Sequence, residues 1–337
     1  MRRERIRAYV ISVAVGAAYG IILRLLLSHG SASRGPVLMS IAFLFVVPFV
    51  IGYLTAASAK TLDPPHRIPW RACIFLPWVS VLIVIAVALL FNIEGLICAI
   101  FIAPGALILG SLGGLLAGII TNRTSRPKAS LACAAVLPFA FLLIEGRIPD
   151  FPSIRSLQTQ IVIHADRATV WQNIERVPPI SPSELPRSWA HIIGFPRPIE
   201  ATLSQQGVGG VRHATFAGGV NFTETIYLWR PYEELAFNIR ANGDDIPPTT
   251  LDEHVKVGGR YFDVLDGDYR LEPLSNGDTL LHLTSRERIS THFNPYAGLW
   301  TDFIMRDIQH SILAVVKNRA ERGSHAVFVH PAANLLP

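Results

Sequence analysis

Two patterns of hydrophobic and polar positions follow one another along the chain. Up to about residue 146, apolar residues run together in long blocks. Five blocks, Ala8–Leu27, Val37–Ala57, Ile74–Ile93, Leu96–Ile120 and Ala129–Ile144, reach or approach the ~20 residues a helix needs to cross a bilayer. The fifth is the shortest. After Gln158 the period drops to two. Gln160–Ile163 alternates, and Asp166 then stands as an N-cap before Val170, Trp171 and Ile174 at helical spacing, until Pro178-Pro179 stop the run. Alternating stretches follow at Ile199–Ser204, Val211–Phe216, Phe222–Trp229, Leu235–Arg240, Tyr261–Leu265, Tyr269–Pro273 and Thr279–Ile289. Asn276-Gly277 gives a hairpin signal before the last. The chain closes on a helix capped by Asn294 with Pro295 at its first position. Tyr296, Leu299, Trp300, Phe303, Ile304, Ile308, Ile312 and Val315 form a broad apolar stripe along it. Such a stripe needs a large partner, and the antiparallel run before it is the available one.

The predicted fold is therefore a membrane α-helical bundle of about five transmembrane helices, followed by an α+β domain in which a curved antiparallel sheet holds a long C-terminal helix. The expected boundaries are a bundle over 1–146, a linker over 147–156, the domain over 157–322 and a tail over 323–337.

Composition sharpens this division. Half the residues are hydrophobic and 16% are charged, against about a quarter charged in soluble domains. Much of the net charge of +5 sits in short loops between apolar blocks, so it is no nucleic-acid signal. Arg2, Arg3, Arg5 and Arg7, then Lys60, Arg67 and Arg71, then Arg123, Arg126 and Lys128 fall on one set of connections. The alternate set offers Arg34, and Glu94 with no base. By the positive-inside bias the N-terminus is cytoplasmic, in the cell (inner) membrane. Five crossings then place everything after Glu145 on the extracytoplasmic, periplasmic side. Arg24, Glu94 and Glu145 lie near span ends, within reach of the interface, which weakens an ion-pump reading. Gly16-x-x-x-Gly20 and Gly110-x-x-x-Gly114-x-x-x-Gly118 read as close helix-packing faces that would also suit a homo-oligomer. Cys73, Cys98 and Cys133 all fall in or beside apolar blocks, so the second half owes nothing to disulfides or cysteine-bound metal.

Within that second half, "IVIHADRATVWQNI", "GVGGVRHATFAGGVNFTETIYLWRPYEELAFNI", "GDYRLEPLSNGDTLLHLTSRERIS" and "NPYAGLWTDFIMRDIQHSILAVVKNRAE" follow an order that resembles the SRPBCC superfamily. That group includes START lipid-transfer domains, the birch-pollen-allergen type and polyketide cyclase/dehydrase-like proteins. The resemblance covers about Ser156 to Arg322 and is a fold signature with no catalytic motif. It implies a helix gripped by a sheet around an internal cavity.

Candidate chemistry is sparse. Phe222, Glu224, Ile226 and Leu228 share one strand face, which puts a carboxylate among apolar neighbours. Burial there raises its pKa unless a partner compensates. Glu224 is either a polar anchor or acid/base in a pocket, or it pairs with an arginine on a neighbouring strand or sits at the rim. Arg212, Arg286 and Arg288 are candidates to hold a polar headgroup. His213, His254, His282 and His292 are scattered, with no spacing that would ligate a metal. "GVGG" at 207–210 lacks the strand–Gly–helix context of a nucleotide site. The residues expected to face a ligand are Phe222, Glu224 and Ile226, Trp300 and Phe303 from the closing helix, and Arg286 and His213. No metal or cofactor is expected. The leading expectation is a membrane-displayed binder of a lipid or other hydrophobic small molecule. A cyclase- or dehydrase-like enzyme stays open, with Glu224 as the weak catalytic candidate. So does an adaptor or sensor whose pocket its own side chains fill.

Overall fold

A computed structural model describes residues 2–28, 40–63, 66–123, 127–145, 147–149, 151–241, 243, 246–247, 250–251 and 255–328. Arg34, the first residues of the second expected span, Arg126, Pro248 and His254 lie outside them. Two compact units result: Met1–Phe151 with Thr291–Phe293, and Pro152–Ser290 with Asn294–Pro337.

The first unit is helical: α1 (Arg2–Ser28), α2 (Val47–Leu62) entered through a π-helical turn at Ala42–Val46, α3 (Trp70–Leu90), α4 (Leu96–Thr121) and α5 (Pro127–Glu145). Pro48 starts α2 just after the π turn, where its missing N–H spares a ladder bond. Four of these helices are long and apolar enough to cross a membrane, whereas the apolar part of α5, Ser130–Glu145, is shorter. The layout is inside-out for a protein in water. α2 is the hub, its apolar stretch 83% buried against 28–33% for α1, α3 and α4. Those outer helices turn Val10, Ile22, Phe75, Leu82, Ile108 and Ile119 outward. Apolar surface of that extent matches hydrocarbon better than water.

Small residues let these helices touch. A Cβ on Gly52 of α2 would lie 1.9 Å from the Gly110 carbonyl oxygen of α4, and one on Gly114 would lie 2.0 Å from that of Cys73 in α3. The expected glycine faces are thus used within the chain. Polar side chains bond across helices: Thr55 Oγ1 and Ser80 Oγ are 2.9 Å apart, and the Tyr19 hydroxyl donates to the Ala135 carbonyl at 2.7 Å.

The second unit is a seven-stranded antiparallel sheet in the order β1-β7-β6-β5-β4-β3-β2. Its strands are β1 (Ser153–Ile163), β2 (Pro198–Leu203), β3 (Val211–Phe216), β4 (Val220–Arg230), β5 (Glu234–Ala241), β6 (Phe262–Pro273) and β7 (Thr279–Ile289). Short helices α6 (Arg167–Glu175) and α7 (Trp189–Ile192) and the long α8 (Asn294–Phe328) complete it. Asp166 caps α6, its carboxylate accepting from the Thr169 amide at 2.9 Å. The main core joins Trp171 and Ile174 of α6, Leu313 and Val316 of α8, and Ile226, Leu235, Phe237, Tyr269, Leu281 and Leu283 of the sheet.

Four elements differ from the sequence-based expectation. β1 starts at Ser153, inside the expected linker, because inward-facing Arg155 is neutralised by Asp302 of α8 at 2.8 and 2.5 Å. Tyr261–Leu265 and Tyr269–Pro273 belong to one strand. A bulge between Val264 and Asp266 absorbs the turn-like Asp-Gly-Asp, and Gly267 leaves room for the Phe237 ring, 2.9 Å from where a Cβ would sit. A second bulge between Ile226 and Leu228 shifts the inward parity of β4. Trp229 therefore packs on the core in place of Leu228 and meets Trp171 edge-on at 5.0 Å. At the other end α8 runs to Phe328, past the expected start of the tail.

Candidate functional site

Only β1 and β7 run close along α8, while α6 and α7 pack on its flank. β3, β4 and β5 form the opposite wall of the interior, and their alternation decides what it contains. On β3, Arg212 and Ala214 are buried while His213 between them is exposed. On β4, Glu224 and Ile226 are buried and Thr223 and Thr225 exposed. Arg212 pairs with Glu224 across the β3–β4 ladder, so both side chains point to the same inner face.

Arg212 is 3% exposed and Glu224 8%. Their charges are 3.0 Å apart, between Arg212 Nη1 and Glu224 Oε2. The N–H does not point at that oxygen, however, and Arg212 Nε and Nη1 and Glu224 Oε2 are all buried without a hydrogen-bond partner. The guanidinium lies 4.8 Å from the Phe237 ring centroid, a cation–π contact. Burial pushes the Glu224 carboxyl above its ordinary range, and Arg212 pulls it back only in part. Burial also lifts the Tyr269 phenol to about 12, with Arg212 lowering it and Glu224 raising it. The three groups therefore share one electrostatic neighbourhood. Phe222, half-buried, meets Phe216 edge-on at 5.1 Å beside them. Buried polar atoms in folded proteins nearly always find partners. Three orphans on one inner face mark where a bound molecule's polar group would fit.

A second buried polar cluster lies between β1, β7 and α8. Gln309 donates to Ser285 Oγ at 2.7 Å and accepts from Thr159 Oγ1 at 2.9 Å, and Ser285 donates to Glu287. Glu287 is 1% exposed, and burial pushes its carboxyl up to about 7, against the lowering from its bond to Ser285. Every hydrogen bond in this chain has a protein partner, so it reads as structural.

The structure separates the residues that the sequence grouped together. Phe222, Glu224 and Ile226 lie on the inner face of β4. His213 and Arg286 do not face the interior: His213 alternates outward with Arg212, and Arg286 lies outward in the β7 register, bonded to Asp266 through Nε at 2.7 Å. Trp300 is half-buried, and Phe303 is 46% exposed at 6.3 Å from it. His282 bridges Gln158 and Glu272 on the outer face. Among the described residues no cluster of His, Cys, Asp or Glu could hold a metal. Tyr269, Glu287 and Gln309 were missed, although the period-two spacing of Glu287 with Leu281, Leu283 and Ile289 carried the signal for one of them.

No family model and no curated protein matches the chain. Solved structures do, over about half of it. An aromatase/cyclase from Streptomyces is 17% identical, covering 52% of this chain and 98% of its own, with TM-score 0.33. A norcoclaurine synthase from Thalictrum flavum is 11% identical over 53% and 99%, TM-score 0.31. The protein Ara h 8.0201 is 10% identical over 50% and 98%, TM-score 0.31. All three are of the SRPBCC helix-grip type.

Proposed function

We propose that the helical unit anchors the chain in the cell membrane and that the helix-grip unit, held on the extracytoplasmic side, binds a lipid or other hydrophobic small molecule. The observation that carries this reading is the Arg212–Glu224 pair, buried among aromatic rings with two donors and one acceptor unanswered. A mostly apolar interior with few convergent polar groups suits a hydrophobic molecule bearing one hydroxyl or carboxyl. Membrane anchorage rests on the apolar outer faces of α1, α3 and α4. Sidedness rests on the basic loops together with a crossing by α5.

Native mass spectrometry of residues 152–325, expressed alone, tests the binding. A small hydrophobic molecule should co-purify and should be lost in Arg212→Met. Recovery of the segment with nothing bound, under conditions that retain lipids, would favour a self-filled interior. Reporter fusions after residue 150 should be active only outside the cytoplasm. Cytoplasmic activity there would remove α5 from the crossing helices.

One observation favours a second, catalytic reading. Burial raises the Glu224 carboxyl and leaves one of its oxygens unanswered, a shift in the direction a general acid needs. If it transfers a proton in a cyclisation or dehydration, Glu224→Gln should abolish turnover by about 10²–10⁴-fold while sparing binding. A pure carrier would show only a modest change in affinity.

A further inference from the structure

A second buried arginine–glutamate pair lies in the helical unit. Arg24, near the end of α1, is 7% exposed. Its Nε donates to Glu94 Oε1 at 2.9 Å and its Nη2 to the Ile93 carbonyl at 2.9 Å. The sequence placed both side chains at the interface; instead they meet inside the unit. The third nitrogen, Nη1, is buried and has no partner. Arg24 and Glu94 stand on the wall of a cavity of about 70 Å³, otherwise lined by apolar groups that include Val47, Ile51, Val84, Ile85, Ile102 and Ala106.

We propose that this cavity is a lipid site distinct from the helix-grip interior, and that it takes an uncharged lipid whose hydroxyl or carbonyl oxygen accepts from Arg24 Nη1. Charge decides the class. Glu94 already neutralises Arg24, and among the described residues lining the cavity Arg24 is the one cation, so an anionic headgroup would stand against the Glu94 carboxylate. A neutral acceptor gives Nη1 a hydrogen-bond partner without adding charge to a low-dielectric site. Water is the weaker occupant. Buried waters make about three hydrogen bonds, and outside the ion pair the wall presents no other polar side chain. At about 70 Å³ the cavity is too small for a whole lipid. It therefore holds the polar end and first carbons, and the rest of the chain runs out between helices into the bilayer. The site presupposes that this unit lies in a membrane, the anchorage proposed above, but it is independent of what the helix-grip unit binds.

The test uses the full-length protein in detergent and two photoactivatable probes of equal chain length. One is a long-chain fatty alcohol with a diazirine near its hydroxyl, the other its sulfate ester. Mass spectrometry should place the alcohol's label on α3 and α4 around Val84, Ile102 and Ala106, with at least about tenfold less label from the sulfate. Arg24→Leu with Glu94→Leu, which removes the whole pair, should reduce labelling about tenfold, the scale of one hydrogen bond to a charged group. Ala106→Phe fills the cavity, leaves the pair intact, and should abolish labelling. Equal labelling of all variants, label spread over the outer helix faces, or preference for the sulfate would overturn the proposal. Alkaline carbonate extraction of membranes tests anchorage separately, since a protein released by it would refute that reading whatever the probes show.

Discussion

The two units each bury one arginine beside one glutamate, and the pairs differ in how completely they are closed. In the helical unit Arg24 and Glu94 are bonded in line, and a backbone carbonyl takes a second donor, so one nitrogen, Nη1, is left without a partner. In the sheet unit Arg212 and Glu224 are as close, at 3.0 Å, but misaligned, and three polar atoms are left. Helices meeting at their ends can turn a side chain toward its partner. Neighbouring strands fix both Cβ positions by the ladder register, and the pair takes the geometry the sheet allows. Proximity of opposite charges thus leaves one unpartnered nitrogen in the helical unit and three unpartnered polar atoms in the sheet unit.

The largest break in that contrast comes from removing one charge. In the segment 152–325, Arg212→Met leaves Glu224 buried and unpaired and should cost about 3–5 kcal/mol in urea unfolding. Arg212→Met with Glu224→Leu should return to within about 1 kcal/mol of the parent. If the single change costs less than about 1 kcal/mol, water reaches the pair and the interior is not closed around it. Trp171→Ala should cost a similar ~3–5 kcal/mol, because Trp171 is 3% exposed in the packed end of the domain. Half-buried Trp300, toward the other end of α8, should cost about half of that. Equal losses would mean that both ends of α8 are packed alike.

The pH dependence of Glu287 gives a smaller and cleaner separation. Its carboxyl rises from an ordinary 4.5 to about 7 in the folded domain, so the native state binds the proton more tightly than the unfolded chain. The stability this confers is complete below pH 4.5 and is lost as pH rises through about 7, a change of about 3 kcal/mol. Urea unfolding at a series of pH values should show that loss in the parent and not in Glu287→Gln. Identical profiles would show that the Ser285–Gln309 chain has no titrating end. Smallest is Asp307, whose carboxylate accepts from the Ser188 hydroxyl and from the Ala190 amide at 2.8 Å, fixing α7 to α8. Asp307→Ala should cost about 1–2 kcal/mol and speed proteolysis between α7 and β2. Unchanged cleavage would show that α7 is held by its apolar contacts.

Much of the architecture was readable in advance because local patterns carry it. The long apolar blocks announced the helices, since these helices are apolar both where they pack on one another and on their outward faces. Period-two alternation located β3 and β7 to the residue, and Asp166 and Asn294 marked helix starts because unsatisfied N–H groups demand a cap. The site was read in part. Parity along β4 brought Glu224 inward, and a neighbouring-strand arginine was among its expected partners. The same parity along β3 runs against the expectation that His213 faces a ligand, since a residue beside inward Arg212 must face out.

What the chain by itself determined is the division into an apolar helical half and an alternating half closed by one helix, because both follow from periods that each segment must satisfy alone. Tertiary structure decided the rest. The bulges at Ile226/Leu228 and Val264/Asp266 depend on the partner strand, Arg155 can face inward only because α8 brings Asp302 to it, and Arg24 meets Glu94 across 70 residues. A buried charge is tolerated only where a distant segment supplies its counter-ion, and no local pattern of hydrophobic and polar positions records which segment that is.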